Sequence, residues 1–147
     1  MNILVSACLL GLCCRYDGKA KYDRRIEKLM EKHCLIPVCP EQLGGLPTPR
    51  DPSERLKGRV VSKTGRDVTE AFARGAEEAL KLARLYRCTA AVLKERSPSC
   101  GRGTVYDGTF TGTLAAGDGV AAELLVKNGI AVLGESQIED FLHSLGE

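Results

Sequence analysis

No Cys-x-x-Cys pair occurs anywhere in the 147 residues, which removes the common zinc-ribbon and thioredoxin signatures. No apolar run approaches the roughly 18 residues of a membrane-spanning helix, so no membrane segment is expected. Charge of one sign is not in excess: 21 basic and 19 acidic residues leave a net +2, too little to imply nucleic acid by itself. Aromatic residues are few, and tryptophan is absent. No basic leader with a small-residue cleavage site precedes the first strand-like run, so no signal peptide is expected and the cytoplasm is the expected compartment. The remainder is ordinary for a soluble globular protein, 44% hydrophobic and 27% charged, and long enough to bury a core without disulfide staples. One domain over residues 1–147 is the expectation, as a monomer or at most a weak homo-oligomer.

Seven cysteines are the feature that needs a reason. Their number is odd and a reducing compartment disfavours disulfides, so metal binding or thiol chemistry is the better explanation. Any metal site has to be assembled from distant residues. Three cysteines occupy equivalent places. Cys8 closes the run Ile3-Leu4-Val5-Ser6-Ala7, and Cys39 closes Leu35-Ile36-Pro37-Val38. Cys100 follows Ala90-Ala91-Val92-Leu93 across the Pro-broken turn Ser97-Pro98-Ser99. Each run reads as a buried strand, so the three thiols stand at the exits of three strands and can meet in space. The expectation is that they bind one iron–sulfur cluster, under a pocket built by the rest of the chain.

Between these points the chain alternates strands and helices. Asp23–His33 is predicted as a helix with Ile26, Leu29 and Met30 on one apolar face. The segment from Gly44 to Pro52 reads as a stiff lid, because proline restricts itself and its predecessor. Arg59–Ser62 is a candidate extra strand. Asp67–Tyr86 is the longest predicted helix, with a capping-box start at Asp67 and Glu70 and an apolar stripe of Phe72, Ala76, Ala79, Leu80 and Ala83. Val105–Thr111 reads as a hairpin around Asp107-Gly108. A helix over Asp118–Lys127 stops at Asn128-Gly129, and Ile130–Leu133 is a fourth strand. Ser136 is predicted to cap the last helix, boxed with Glu139, with Ile138, Phe141, Leu142 and Leu145 as its buried face.

This order implies an α/β fold: a single-domain three-layer α-β-α sandwich with a mostly parallel, Rossmann-like sheet and a Pro/Gly-rich lid loop. In such sheets ligands bind outside the carboxyl ends of the strands. By that rule Cys34 and Cys88, which precede their strands, lie on the far side and read as small core residues. Cys13 and Cys14 lie on the correct side but several residues past the strand, where a packing or loop role is expected. His33 and His143 read as structural or surface residues.

Three blocks run through nearly the whole chain in order. They are Ser6-Ala7-Cys8-Leu9-Leu10-Gly11 with Arg15-Tyr16-Asp17-Gly18, Cys39-Pro40-Glu41 with Gly45-Leu46-Pro47-Thr48-Pro49-Arg50, and Lys94 with Ser97-Pro98-Ser99-Cys100-Gly101. Together they resemble the bacterial thiouracil desulfurase family. The resemblance implies a [4Fe–4S] cluster held by three cysteines, here Cys8, Cys39 and Cys100, with one iron left to bind the sulfur of a thiolated pyrimidine. It implies conversion of 2- or 4-thiouracil to uracil with release of sulfide. The expected partner is that small molecule, with no nucleic acid and no membrane. Cys13 and Cys14 fall outside the family's pattern.

The residue chemistry is compatible with this. Thiolates are the ligands such clusters use, and three of them leave one iron open. A soft thiocarbonyl suits that iron, and polarising it favours attack by water with no net redox change. Glu41, two residues past Cys39, is the candidate general base or proton shuttle, against a solvated loop carboxylate. Ser99 and Ser97 are candidate donors to the substrate or leaving sulfur, against turn-forming serines. Lys94 can neutralise developing charge, Tyr16 can stack on a pyrimidine ring, and Arg15 or Arg50 can bind its oxygens. The rival readings are a closed zinc site with Cys14 as fourth thiolate and a thiol-redox module, both without desulfurase activity.

Overall fold

Ile3, Leu4 and Val5 are all wholly buried, although a strand turns successive side chains to opposite faces. The first strand must therefore be covered on both sides. In the computed structural model, which describes residues 1–147, the elements run in the order β1 (Asn2–Ser6), α1 (Ile26–Lys32), β2 (Cys34–Val38), α2 (Pro40–Leu43), β3 (Ser53–Leu56), β4 (Arg59–Ser62), α3 (Thr69–Leu85), β5 (Ala90–Leu93), β6 (Thr104–Tyr106), β7 (Leu114–Ala116), α4 (Val120–Lys127), β8 (Ala131–Gly134) and α5 (Ile138–Ser144). The central sheet has four strands in the order β2-β1-β5-β8, and every pairing is parallel. Pro37 is tolerated in β2 because that strand is an edge.

Two core layers result from the alternation. Leu4, Ile36, Val38, Ala91 and Leu93 pack against Ala79, Leu80 and Ala83 of α3 and Ala122 and Leu125 of α4. Ile3, Val5, Val92 and Leu133 pack against Ile26 and Leu29 of α1 and Ile138 and Leu142 of α5. The result is the expected α-β-α sandwich. The hairpins β3–β4 and β6–β7 lie outside the central sheet.

Several local expectations are corrected. The first helix begins only at Ile26 because Asp23 forms a turn, its carboxylate accepting from the Arg25 amide and guanidinium. Met30 is exposed on that helix and is not on its core face. Asp67 accepts from the Thr69 amide at 2.9 Å in the turn before α3, with no capping box to Glu70. Ser136 does not cap α5. It sits in the 3-10 turn Glu135–Gln137 with its hydroxyl on Glu95, and Leu145 is exposed. Cys34 lies within β2, exposed at the sheet edge, rather than in the core, whereas Cys88 is buried as expected. Pairing of β6 with β7 spans a wider loop than a two-residue Asp-Gly turn. Two elements had no reading in the sequence: α2, one turn long, and β3, whose partner β4 matches the candidate extra strand. No helix is long and apolar enough to cross a membrane.

Candidate active site

The register aligns Ser6 with Val38, Val5 with Val92 and Leu93 with Gly134, so all four parallel strands end along one edge. The residues just past the strand ends face one cavity of about 560 Å³. Cys8 lies past β1, Cys39 past β2, and Lys94 past β5, with Ser97, Ser99 and Cys100 just beyond. Glu41, Arg50, Arg15 and Tyr16 line the same cavity, as does Cys14. The strand-end rule thus gathers every residue proposed from the sequence.

Each loop is held by a local device. Cys39 and Glu41 flank the start of α2, which packs backbone to backbone on α3. A Cβ at Gly75 would overlap the carbonyl of Pro40, and one at Gly44 would overlap the carbonyl of Ala71, so only glycine allows this approach. The Cys100 turn is docked on the start of α4. The amide of Val120 donates to the Pro98 carbonyl at 2.9 Å, and those of Ala121 and Ala122 donate to the Ser99 carbonyl at 2.8 and 3.1 Å. These carbonyls satisfy orphan amides that a capping side chain would otherwise serve. Ser97 Oγ accepts from the amides of Ser99 and Cys100 at 3.2 and 3.0 Å, so Ser97 forms the turn.

Arg50 joins the lid to the floor. Its side chain is 6% exposed, and its guanidinium donates to Glu41 Oε1 at 3.0 Å, to the Cys14 carbonyl at 2.9 Å, to Thr48 Oγ1 at 2.9 Å and to the Pro47 carbonyl at 3.1 Å. With these contacts made inside the protein, it is not a free cation for substrate oxygens. The other oxygen of Glu41, Oε2, accepts from Ser99 Oγ at 3.1 Å. That hydroxyl is buried and stands 3.7 Å from Cys100 Sγ. A carboxylate, a hydroxyl and a thiol therefore stand in line.

Burial governs the thiols. It pushes Cys8 up to about 11, partly offset by the nearby Lys94 ammonium. It pushes Cys100 up to about 12, opposed by hydrogen bonds from the Ser6 and Ser99 hydroxyls. Cys39 moves the other way: the neighbouring Cys14 side chain, an α2 amide and the positive charge of Arg50 all favour its ionised form; as a thiol, Cys39 donates from Sγ to the Cys14 carbonyl at 3.6 Å. Cys14 is held as the protonated partner of that pair and is itself buried. Lys94 Nζ lies 2.9 Å from Glu135 Oε2, and Glu135 also accepts from the Glu95 amide at 2.7 Å.

Sequence reasoning missed some residues of this wall and one, Glu135, that contacts it through Lys94. Glu135 lies past β8 as Cys8 lies past β1, so the strand-end rule could have found it. Cys14 reads from the sequence as a packing or loop residue, or as the fourth thiolate of the rival zinc site, and its place beside Cys39 is not legible there. Glu54, Tyr106 and Phe110 come from the two hairpins, and no local pattern points them at the sheet edge.

The donor set suits an iron–sulfur cluster. Several soft thiols from separate strand ends face one cavity, all are free of disulfides, and two are desolvated sulfurs of the kind a cationic centre would ionise. No group of three His, Cys, Asp or Glu side chains is preassembled around a single-ion position.

Comparison with known proteins agrees with the geometry. A family model described as 2-thiouracil desulfurase matches residues 3–137. The chain is 41% identical over 150 residues to the uncharacterized protein YbbK of Bacillus subtilis (strain 168), covering 95% of this chain and 99% of that one. A solved structure of the [4Fe-4S]-dependent thiouracil desulfidase TudS superposes with a TM-score of 0.92 at 45% identity, covering 99% of this chain and 97% of the other.

Proposed function

Because the chain belongs to the 2-thiouracil desulfurase family, we propose that it is a [4Fe–4S]-dependent hydrolase converting 2- or 4-thiouracil to uracil and sulfide. The observation that carries this reading is the meeting of Cys8, Cys39 and Cys100 with Glu41 and Ser99 in one cavity. The three thiolates would hold the cluster. When bound, it supplies an iron without a protein ligand, a soft Lewis acid suited to polarising a thiocarbonyl.

The protein's own part is orientation and proton movement. Arg50 fixes Glu41 through Oε1, and Glu41 takes a proton from the attacking water. The Ser99 hydroxyl, bonded to Glu41 Oε2, passes a proton on to the departing sulfur. The carbon–sulfur bond breaks as a carbon–oxygen bond forms: water supplies the new carbonyl oxygen, sulfur leaves as sulfide, and no electron is gained or lost. Lys94, steadied by Glu135, offsets charge on that sulfur. Arg15 and Tyr16 contact the pyrimidine, while Ser97 and Arg50 position the groups that react. The partner is this small molecule, with no nucleic acid, and the protein acts in the cytoplasm as a monomer or at most a weak homo-oligomer.

The test is anaerobic reconstitution with iron and sulfide, followed by an assay on 2- and 4-thiouracil. Brown protein that forms uracil and sulfide, with the cluster's oxidation state unchanged through turnover, is expected. Ser99→Ala should lower kcat by roughly 10²-fold or more while iron content is kept. A colourless zinc protein without this activity would overturn the reading.

A further inference from the structure

The chain has three phenylalanines and four tyrosines, and three of these seven, Tyr16, Tyr106 and Phe110, line the one cavity. Phe72 lies in a small core cluster with Val60 and Val68, and Phe141 packs against the separate core layer of α1 and α5. Phe110 belongs to no core cluster. Its φ is 57°, the left-handed region in which a Cβ crowds the backbone and a bulky residue is an outlier.

The surroundings enforce this conformation. Glu54 of β3 accepts through Oε1 from the amides of both Gly108 and Phe110, at 3.0 and 3.2 Å. Asp107 accepts from the Thr109 amide at 3.0 Å, and the hydroxyls of Thr109, Thr111 and Thr113 bond in sequence at 2.6 and 2.8 Å. Gly108 packs so closely on β3 that a Cβ would meet the Arg55 carbonyl and the Leu56 side chain. One hairpin tip is thus clipped to the other hairpin, and a strained residue is kept in the lining of the cavity. Strain that the surroundings over-determine marks function more often than folding.

We propose that Phe110, held by Glu54, is the aromatic wall of the substrate site and selects flat heterocyclic thiocarbonyl compounds by stacking. This rests on the desulfurase reading above. Stacking engages a ring face and not its substituents, so 2- and 4-thiouracil both depend on it. Thiourea has the same thiocarbonyl without a ring and does not.

The experiment uses the full-length reconstituted enzyme with Phe110→Gly and Phe110→Tyr. KM for 2-thiouracil, KM or competition constant for thiourea, iron content and Tm are measured for each. Phe110→Gly should raise the 2-thiouracil KM roughly tenfold, with kcat and iron content within twofold. Its Tm should stay level or rise, since glycine relieves the left-handed strain. Phe110→Tyr should restore KM, and the thiourea constant should not move. A 2-thiouracil KM within twofold of wild type in Phe110→Gly overturns the inference. So does an equal rise for thiourea, or a fall in Tm with loss of iron, which marks a purely structural role. Wild-type protein that neither binds nor turns over 2-thiouracil refutes the desulfurase reading itself, before any variant is compared, and the inference falls with it.

Discussion

Replacing Arg50 by alanine tests whether the lid and the base are held by one side chain. The Arg50 side chain is 6% exposed and that of its partner Glu41 is 15% exposed. The substitution leaves a mostly buried carboxylate without its cation and removes one of the two donors to the Cys14 carbonyl, the Cys39 thiol being the other. Removing one partner of a buried ion pair costs about 3–5 kcal/mol. Glu41 keeps some water contact, so the lower end, about 3 kcal/mol, is expected. At about 2–4 °C per kcal/mol for a chain of this size, Tm should fall by roughly 6–12 °C. Glu41 also loses its orientation, and a misplacement near 1 Å is worth about 10²-fold in rate, so kcat/KM should fall by about that factor. Arg50→Lys keeps the charge but cannot fork to several acceptors, and should recover less than half of either loss. The assays are thermal melting of the reconstituted protein and steady-state desulfuration of 2-thiouracil. A Tm within about 1 °C of wild type together with an unchanged rate would refute the reasoning.

Three further outcomes are expected. Gly75→Ala should push α2 off α3, lowering Tm and the iron retained after reconstitution because Cys39 moves with α2; iron content against Tm checks this. Cys14→Ala should keep the iron stoichiometry, whereas Cys8→Ala, Cys39→Ala and Cys100→Ala should each reduce it, as read by iron analysis and visible absorption; equal loss in all four would instead make Cys14 a ligand. Asp23, its carboxyl held below the usual range by the Arg25 side chain, contributes stability that is present above the unfolded-state value of 3.8 and lost as pH falls through the folded value; Asp23→Asn should therefore flatten the acid limb of the stability profile, measured by urea melts from pH 7 to pH 3.

Much of the fold was readable because its signals are local. The runs Ile3-Leu4-Val5 and Ala90 to Leu93 are buried strands, Leu35 to Val38 is an edge strand that buries Ile36 and Val38, and the stripe from Phe72 to Ala83 is the core face of α3. In a parallel sheet, residues just past such runs share one edge, which is why Cys8, Cys39 and Cys100 could be grouped from their places at strand exits, with Ser99 and Glu41 beside them in sequence and the family resemblance adding to the case for Glu41. Errors fell where a short-range contact competed with a pattern: Asp23 turned the chain before the helix, and Ser136 bonded Glu95 instead of capping α5.

Tertiary structure decided the rest. Arg50 looked like a free cation beside a ligand, yet its donors go to Glu41, Pro47, Thr48 and the Cys14 carbonyl, partners set by how the lid folds back. The pairing of Cys14 with Cys39, of Lys94 with Glu135, and of Glu54 with the loop bearing Phe110 joins residues 25, 41 and more than 50 positions apart. No periodicity encodes such contacts. The sequence by itself determined which groups stand at the strand ends, because hydrophobic alternation and turn chemistry act over a few residues. Which of those groups face a ligand and which are occupied by one another depended on long-range packing, where each donor and acceptor is claimed by whatever the folded chain brings beside it.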